Sequence, residues 1–428
     1  MHLLWSVLIS ALVALTGLLL LLRWLGDCGA PVPLRTDVPA ERGVLVAPRE
    51  CAAVFGTALL FRILIFLAAA LLAGRLLGGG GGSSWALDLW KKWDAWHYVN
   101  LAELGYEGYV ENGQHLFVVF FPLYVWLVRL AARVIGNTMA AGLLVSFLCF
   151  GGGCVYLYRL AAWEYGRSAA RWTLVFLSVF PYAFFFGGVM TESLFLLTTA
   201  AALWHIRRHH WLPAGVWGAL AALTRMHGVL LILAAGAELV QSLGRFDWKR
   251  IFRTLPALLL PLLGTLAYLG LNWSVTGTPF GFTEMQKHWS QGFCWISETL
   301  WYVLQNAVSY YDETIRLQLW VPTLVLFPVF FGVLLAVNRR CRSMYTLYAF
   351  ATLVLDYSLS WLLSAGRYLS CAVPFFLFAA VLTQRHRGAS IALAAGGAVR
   401  CWVTSPADKS CKRMLLCRFF TTMIPITG

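Results

Sequence analysis

The chain is written as a series of apolar stretches, many about 20 residues long, separated by short basic marks, and this alternation constrains its fold most. Twenty apolar residues match the roughly 30 Å hydrocarbon core of a bilayer. Backbone groups in lipid must find their partners within the segment, which makes each such stretch a helix. Residues 3–25 form the first and end near Arg23. This stretch lacks a basic start and a small-residue cleavage site, so it reads as an anchor rather than a cleaved signal. Others follow at 52–77, 116–135, 139–158, 172–206, 211–243, 254–272, 319–337, 344–363 and 368–384. The fold expected is an all-α, polytopic transmembrane protein with about nine to eleven membrane segments and exterior loops.

Composition agrees. The 428 residues are 60% hydrophobic and 12% charged, against about 25% charged in soluble domains. Twenty Trp and sixteen Tyr suit rings at headgroup level. A net charge of +14 would suggest nucleic acid in a soluble protein. Here the cations fall between apolar runs, where they set orientation, so lipid is the expected surround and no nucleic acid is expected. The ten Cys include no CxxC pair and no zinc-ligand spacing. Cys149, Cys154 and Cys371 lie in apolar runs as buried thiols, and Cys294 lies in a loop with no evident partner.

The basic marks orient the spans. Residues 27–50 hold Arg35, Arg42, Arg49 and several prolines, as a cytoplasmic linker would. Arg207-Arg208, the run 245–253, Arg339-Arg340-Arg342 and the run 385–387 mark further cytoplasmic ends. Segment 172–206, flanked by Arg171 and Arg207, predicts a hairpin with residues 187–192 at its exterior tip. Segment 211–243 predicts a second, with Arg225 and His227 at an exterior turn and halves short for full spans, dipping into a protein-lined cavity. Residues 78–82 form a flexible glycine break. Exterior loops are expected at 78–115 and 273–318. In the first, Trp85, Leu89, Trp93, Trp96 and Val99 recur at helical spacing and predict an amphipathic interfacial helix. One inconsistency stands: two spans at 116–135 and 139–158 return the chain outside, although Arg159, Arg167 and Arg171 look cytoplasmic. One of these segments is re-entrant, or the basic cluster is misread.

The run Trp93-Asp94-Ala95-Trp96-His97-Tyr98 carries the strongest chemical signal. A carboxylate held against aromatic rings has a raised pKa and can act as a base. The plainer reading is an interfacial acid paired with Lys91 or Lys92. His97 lies one helical turn on and can share a face with Asp94. Glu192 interrupts two apolar runs, where an ionisable residue defaults to a functional role, although capping with Thr191 would also place it there. Arg225 and His227 interrupt an apolar hairpin, and the Arg needs an anion, either Glu192 or a bound phosphate. Arg367 invites the same reading, or that of an arginine snorkelling to the headgroups. Lys287, among the aromatics of loop 273–318, suits a sugar phosphate and equally a lipid headgroup.

These residues also carry a family resemblance. Trp93-Asp94 with His97, then Ala102-Glu103-Leu104-Gly105-Tyr106 and Phe120-Phe121-Pro122-Leu123, resemble the opening signature of the PIG-V type mannosyltransferases, which include GPI mannosyltransferase 2 and prokaryotic relatives. Thr191-Glu192-Ser193-Leu194-Phe195 and Thr224-Arg225-Met226-His227-Gly228 resemble later motifs, with His227 where that family usually has Asn. The match near Arg367-Tyr368 is looser. The resemblance covers about residues 52–385. It implies a GT-C glycosyltransferase that moves mannose from a polyprenyl-phosphate donor to a lipid-linked or glycan acceptor hydroxyl, with inversion. It assigns Asp94 as catalytic base. Arg225, with Arg367 or Lys287, would hold the donor phosphate, and Glu192 would orient the acceptor or Arg225; His97 and His227 would complete the substrate site. No cofactor is implied, and a single Asp offers a divalent metal no ligand set.

The domain division expected is therefore an added anchor and linker at 1–50, a catalytic membrane domain at 51–387, and an atypical tail at 388–428. The tail holds three of the ten Cys from about Arg400 onward and loses its apolar periodicity, as a truncated or frame-shifted end would. The membrane is the plasma membrane for a prokaryotic protein and the endoplasmic reticulum for a eukaryotic one. A lipid or solute transporter, or a non-catalytic subunit of a glycan-assembly complex, is the rival reading.

Overall fold

The computed structural model describes residues 2–37, 43–77, 83–243, 247–384 and 387–404. The glycine break at 78–82, most of the basic run 385–387, and residues 405–428 of the tail lie outside these. In chain order the helices are α1 (His2–Asp27), α2 (Pro48–Leu77), α3 (Ser83–Asp88), α4 (Ala95–Gly108), α5 (Pro122–Ile135) and α6 (Thr138–Tyr165). Then come α7 (Arg167–Val179), α8 (Glu192–Arg207), α9 (Trp211–Ala222), α10 (Leu231–Leu243), α11 (Trp248–Thr276), α12 (Gly281–Lys287) and α13 (Ile296–Ser309). The last are α14 (Glu313–Ile315), α15 (Val321–Val337), α16 (Ser343–Asp356), α17 (Ala365–Ser370), α18 (Pro374–Thr383) and α19 (Arg387–Thr404). Among the described residues there is no strand, only isolated bridges at Glu111–Gln114 and Phe293–Leu359. The protein is an all-helical, multi-pass membrane protein.

Among the described residues six stretches are long and apolar enough to cross a bilayer: His2–Asp27, Pro48–Leu72, Thr138–Tyr165, Met226–Leu243, Trp248–Thr276 and Glu313–Val337. Packed among them are helices of 10–16 residues, namely α7, α8, α9, α16 and α18. At about 1.5 Å per residue these measure roughly 15–24 Å, short of the hydrocarbon thickness. The larger number of segments read from hydropathy thus resolves into long spans and short helices that stop part-way.

Their ends define two faces. On one face Glu50, in the first turn of α2, accepts from Tyr158 of α6 at 2.7 Å and from Arg167 at 3.0 Å. Arg23 of α1 donates to Cys341 O, Ser343 Oγ and Thr346 Oγ1. Arg207 pairs with Glu164, which also accepts from Tyr345 at 2.9 Å, and Arg342 pairs with Glu238 at 3.0 Å. This basic face holds the starts of α2, α9 and α16 and the ends of α1, α6, α8 and α10. The opposite ends of α8 and α16, and the turn after α9, converge on Glu192, Asp356 and Arg225.

The inconsistency at 116–171 resolves at α5. It has 14 residues, roughly 21 Å, too short to cross. Pro122 starts it, Gly136 ends it in the left-handed region at φ 77°, and Asn137 caps α6 by accepting from Ala140 N at 2.8 Å. One side buries Tyr124, Val125 and Val128 while Leu130 and Val134 stay exposed, as in a helix lying at an interface. The 28-residue α6 alone crosses and delivers Glu164 to the basic face. Near its other end, Ser146 donates to Gly188 O at 2.7 Å, at the tip of the α7–α8 hairpin.

Two other expectations change. The amphipathic helix over 85–99 is broken, because Trp93 adopts φ 50° and Asp94 takes the N-cap position of α4. The loop 273–318 is largely helical, through α12, α13 and α14. It is tied at both ends: Asn272 Oδ1 accepts from Phe282 N at 2.9 Å, and α13 packs on the start of α1.

Candidate active site

Four charged side chains from four distant parts of the chain meet at the ends of the short helices. Asp94 comes from the α3–α4 loop, Glu192 from the first turn of α8, Arg225 from the turn after α9, and Arg367 from α17. Arg367 donates through Nη1 to Asp94 and through Nε to Glu192. Arg225 Nη1 lies 2.9 Å from the same Glu192 Oε1, and 3.4 Å from both Thr191 Oγ1 and Cys371 Sγ. The result is one chain of alternating charge, Asp94–Arg367–Glu192–Arg225, with two anions against two cations.

Local sequence explains each placement. Trp93, a bulky residue at positive φ, turns the backbone so that Asp94 faces inward, a strain of the kind found at functional sites. Its ring packs against Phe184 and Phe185 at centroid distances of 5.7 and 5.5 Å. Phe185 in turn lies 5.1 Å beneath the Arg367 guanidinium, and the Tyr368 ring lies 5.6 Å from that of Arg225, so both cations rest on aromatic faces. Gly228 lets the Thr224–Gly228 turn fold back, since a Cβ there would overlap the Ala221–Ala222 backbone. Gly366 does the same for Arg367, because a Cβ would enter the Tyr182 ring.

Burial separates the two acids. The Glu192 side chain is 0% exposed and that of Asp94 is 35% exposed. A substrate can therefore reach Asp94, while Glu192 acts from behind by fixing both arginines. Burial pushes the Asp94 carboxyl up, but Arg367 beside it more than reverses that and holds it below the usual carboxylate range. The raised pKa expected from the aromatic surround is thus overturned, because a buried guanidinium outweighs the rings. Asp94 pairs with Arg367, and the Lys91 amine lies 3.8 Å from the Trp96 ring centroid.

The remaining expected site residues divide. His97 lies within electrostatic reach of Asp94, but its ring stacks on Phe117 at 4.3 Å and its Nδ1 is 3.0 Å from Tyr109 Oη. Burial holds its imidazole below the ordinary value, against the pull of Asp94, so it is neutral at pH 7. His227 follows Arg225 by two residues, with Nε2 2.8 Å from Asp356 Oδ1. Lys287 is not brought to the cluster: it is exposed on α12 and pairs with Glu284 at 2.7 Å. Arg367 does not snorkel, being buried between two carboxylates, and Thr191 makes no side-chain cap to α8. Asp356 was missed by sequence reasoning, although it interrupts an apolar run much as Glu192 does. Among the described residues no group of three or more His, Cys, Asp or Glu could hold a metal ion.

Chemically, the cluster offers a reachable carboxylate and two guanidiniums suited to an anion of two or three oxygens. Residues 121–273 match the family described as dolichyl-phosphate-mannose-protein mannosyltransferase. That stretch carries Glu192 and Arg225 but neither Asp94 nor Arg367. No curated protein matches the chain. Among solved structures, ArnT from Cupriavidus metallidurans bound to undecaprenyl phosphate is similar at 17% identity and TM-score 0.49, over 78% of this chain and 62% of that one. The same protein in the apo state is similar at 18% identity and TM-score 0.48, with the same coverage. The chain thus spans under two thirds of the ArnT length.

Proposed function

We propose that the protein is a membrane glycosyltransferase of the GT-C type, a mannosyltransferase similar to the PIG-V class, that uses a polyprenyl-phosphate sugar. The observation that carries this is the convergence of Asp94, Arg367, Glu192 and Arg225 at the ends of short helices, facing away from the basic face. By the positive-inside rule that basic face is cytoplasmic, which makes the site exterior. A lipid-linked donor presents its phosphate near headgroup depth, where helices of roughly 15–24 Å raised from the basic face would end. The match of 121–273 to a family named for dolichyl-phosphate-mannose supports the donor class.

In this reading Arg225 and Arg367 take the donor phosphate, and the phosphate competes with Asp94 for Arg367. Asp94, released from its ion pair, accepts the proton of the acceptor hydroxyl as that oxygen attacks the anomeric carbon from the face opposite the phosphate. The bond between that carbon and the phosphate oxygen breaks, its electron pair stays on the polyprenyl phosphate, and the anomeric configuration inverts. The two guanidiniums stabilise the charge that builds on the leaving group. The acceptor is a lipid-linked or glycan hydroxyl.

Membranes carrying the protein, supplied with polyprenyl-phosphate mannose labelled in the sugar, are expected to form a labelled glycosidic product. Arg225→Gln should raise the donor KM about tenfold or more, since a charge-assisted contact to phosphate is lost. Passage of the donor across the membrane without any glycosidic product would mark a transporter instead.

A further inference from the structure

Asp356 is the last residue of α16, where a carboxylate meets the negative end of the helix dipole, and its side chain is only 1% exposed. Both circumstances penalise an anion. His227 Nε2 lies 2.8 Å from Oδ1, yet among the described residues no donor meets either Asp356 oxygen with hydrogen-bond geometry. Folding gains nothing from such a group, since an apolar residue could close α16 without the cost. A costly ionisable residue at membrane depth points to a function, and one with unfilled acceptor sites points to a ligand that donates.

Its place narrows the ligand. His227 follows Arg225 by two residues within the Thr224–Gly228 turn. Cys371, whose Sγ lies 3.4 Å from Arg225 Nη1, also senses the charge of Asp356. The His227 side chain keeps 15% exposure, so the pair is not sealed from the open side of the cluster. A neutral hydroxyl-bearing group next to a bound phosphate fits this setting, whereas a second anion would be repelled by Asp356.

We propose that Asp356 and His227 form a specificity-determining subsite that reads one hydroxyl of the donor sugar, beside the arginines that hold its phosphate. The subsite rests on the transferase reading. With the phosphate pinned by Arg225, a carboxylate at fixed distance accepts from a hydroxyl of one configuration only. His227 bridges to the same or the adjacent sugar oxygen. Sites built to hydrogen-bond a hydroxyl reject analogues that lack it, because their own polar groups are left unpaired.

The test uses the purified full chain in lipid nanodiscs, with polyprenyl-phosphate mannose and its four single-deoxy analogues at positions 2, 3, 4 and 6. In the wild type one analogue should lose about 10–100-fold in kcat/KM while the others change little. Asp356→Asn should bring the complete donor down to the level of that analogue and leave the analogue itself unchanged. His227→Asn, at a partly exposed position, should show the same pattern in weaker form, with melting temperature confirming that each variant folds. Equal use of all four analogues by the wild type overturns the subsite. A uniform fall for every donor in both variants does so as well, since it marks packing alone. Wild-type protein that transfers from none of the donors is a different failure, which removes the transferase reading and the subsite with it.

Discussion

Arg367 holds two carboxylates at once, and most of the site's behaviour follows from that. Its pairing keeps Asp94 ionised below the usual carboxylate range, so the sign of the pH dependence is set. Any stability from the pair is present above the ordinary aspartate value and is lost as pH falls through the depressed one. Arg367→Gln removes the cation and leaves burial, which acts upward. The acid limb of the kcat/KM profile should then move up by roughly 1–3 pH units; an unmoved limb would show that Arg367 does not govern Asp94. Glu192 and Arg225 were legible in sequence because each interrupts apolar text at a cost, and Asp94 because it stands among aromatic residues. The direction of the Asp94 pKa was not, since Arg367 stands 273 residues away and nothing local announces their meeting. Asp356 offered the same local signal as Glu192, but lay in no turn or motif that drew notice.

The short helices decide where the charge cluster forms. α8 and α16 begin or end at the charge cluster because Glu192 and Asp356 terminate their apolar runs, and α9 stops before Arg225 for the same reason. Hydropathy located these runs but counted α5 as a span, since 14 apolar-rich residues and the run before them read as one segment. The capping residues Gly136 and Asn137 held the information that α5 ends early. A single cysteine at Asn137→Cys should therefore react with a membrane-impermeant thiol reagent from the same side as one at Glu103→Cys; labelling from opposite sides would restore α5 as a span. The start of α1 is joined to α13 by Trp5 Nε1 donating to Ser297 O at 3.0 Å, by Ser6 and Ser297 at 2.8 Å, and by Trp295 Nε1 donating to Ser10 Oγ at 2.8 Å. The segment before α13 pairs with the one after α16, through Ser360 N to Gly292 O at 2.9 Å and Cys294 N to Ser358 O at 3.0 Å. Trp5→Ala should cost about 1–3 kcal/mol and speed hydrogen exchange at 292–300 and 358–362. Exchange raised only within α1 would show that α1 does not brace the segment before α13.

At the scale of the molecule, charge is sorted to two ends of an apolar body. One end holds Arg207, Glu164, Glu238 and Arg342 as a network; the other gathers Asp94, Glu192, Arg225, Arg367 and the His227–Asp356 pair. In the first network each acid is buried against an arginine, Glu164 against Arg207 and Glu238 against Arg207 and Arg342. The second leaves Asp94 partly open, 35% exposed, and this difference separates a staple from a candidate site. Polytopic architecture was legible from the apolar runs, because lipid acts on local composition. The assembly of the site was not, because it depends on how short helices pack. The most direct test of the account is Asp94→Asn, measured for both donor affinity and single-turnover transfer from polyprenyl-phosphate mannose. The account predicts a fall in the transfer rate of about 10²–10⁴-fold, with donor affinity unchanged or tighter because Arg367 loses its competitor for phosphate. Full transfer by Asp94→Asn, or a parallel collapse of donor binding, would contradict it.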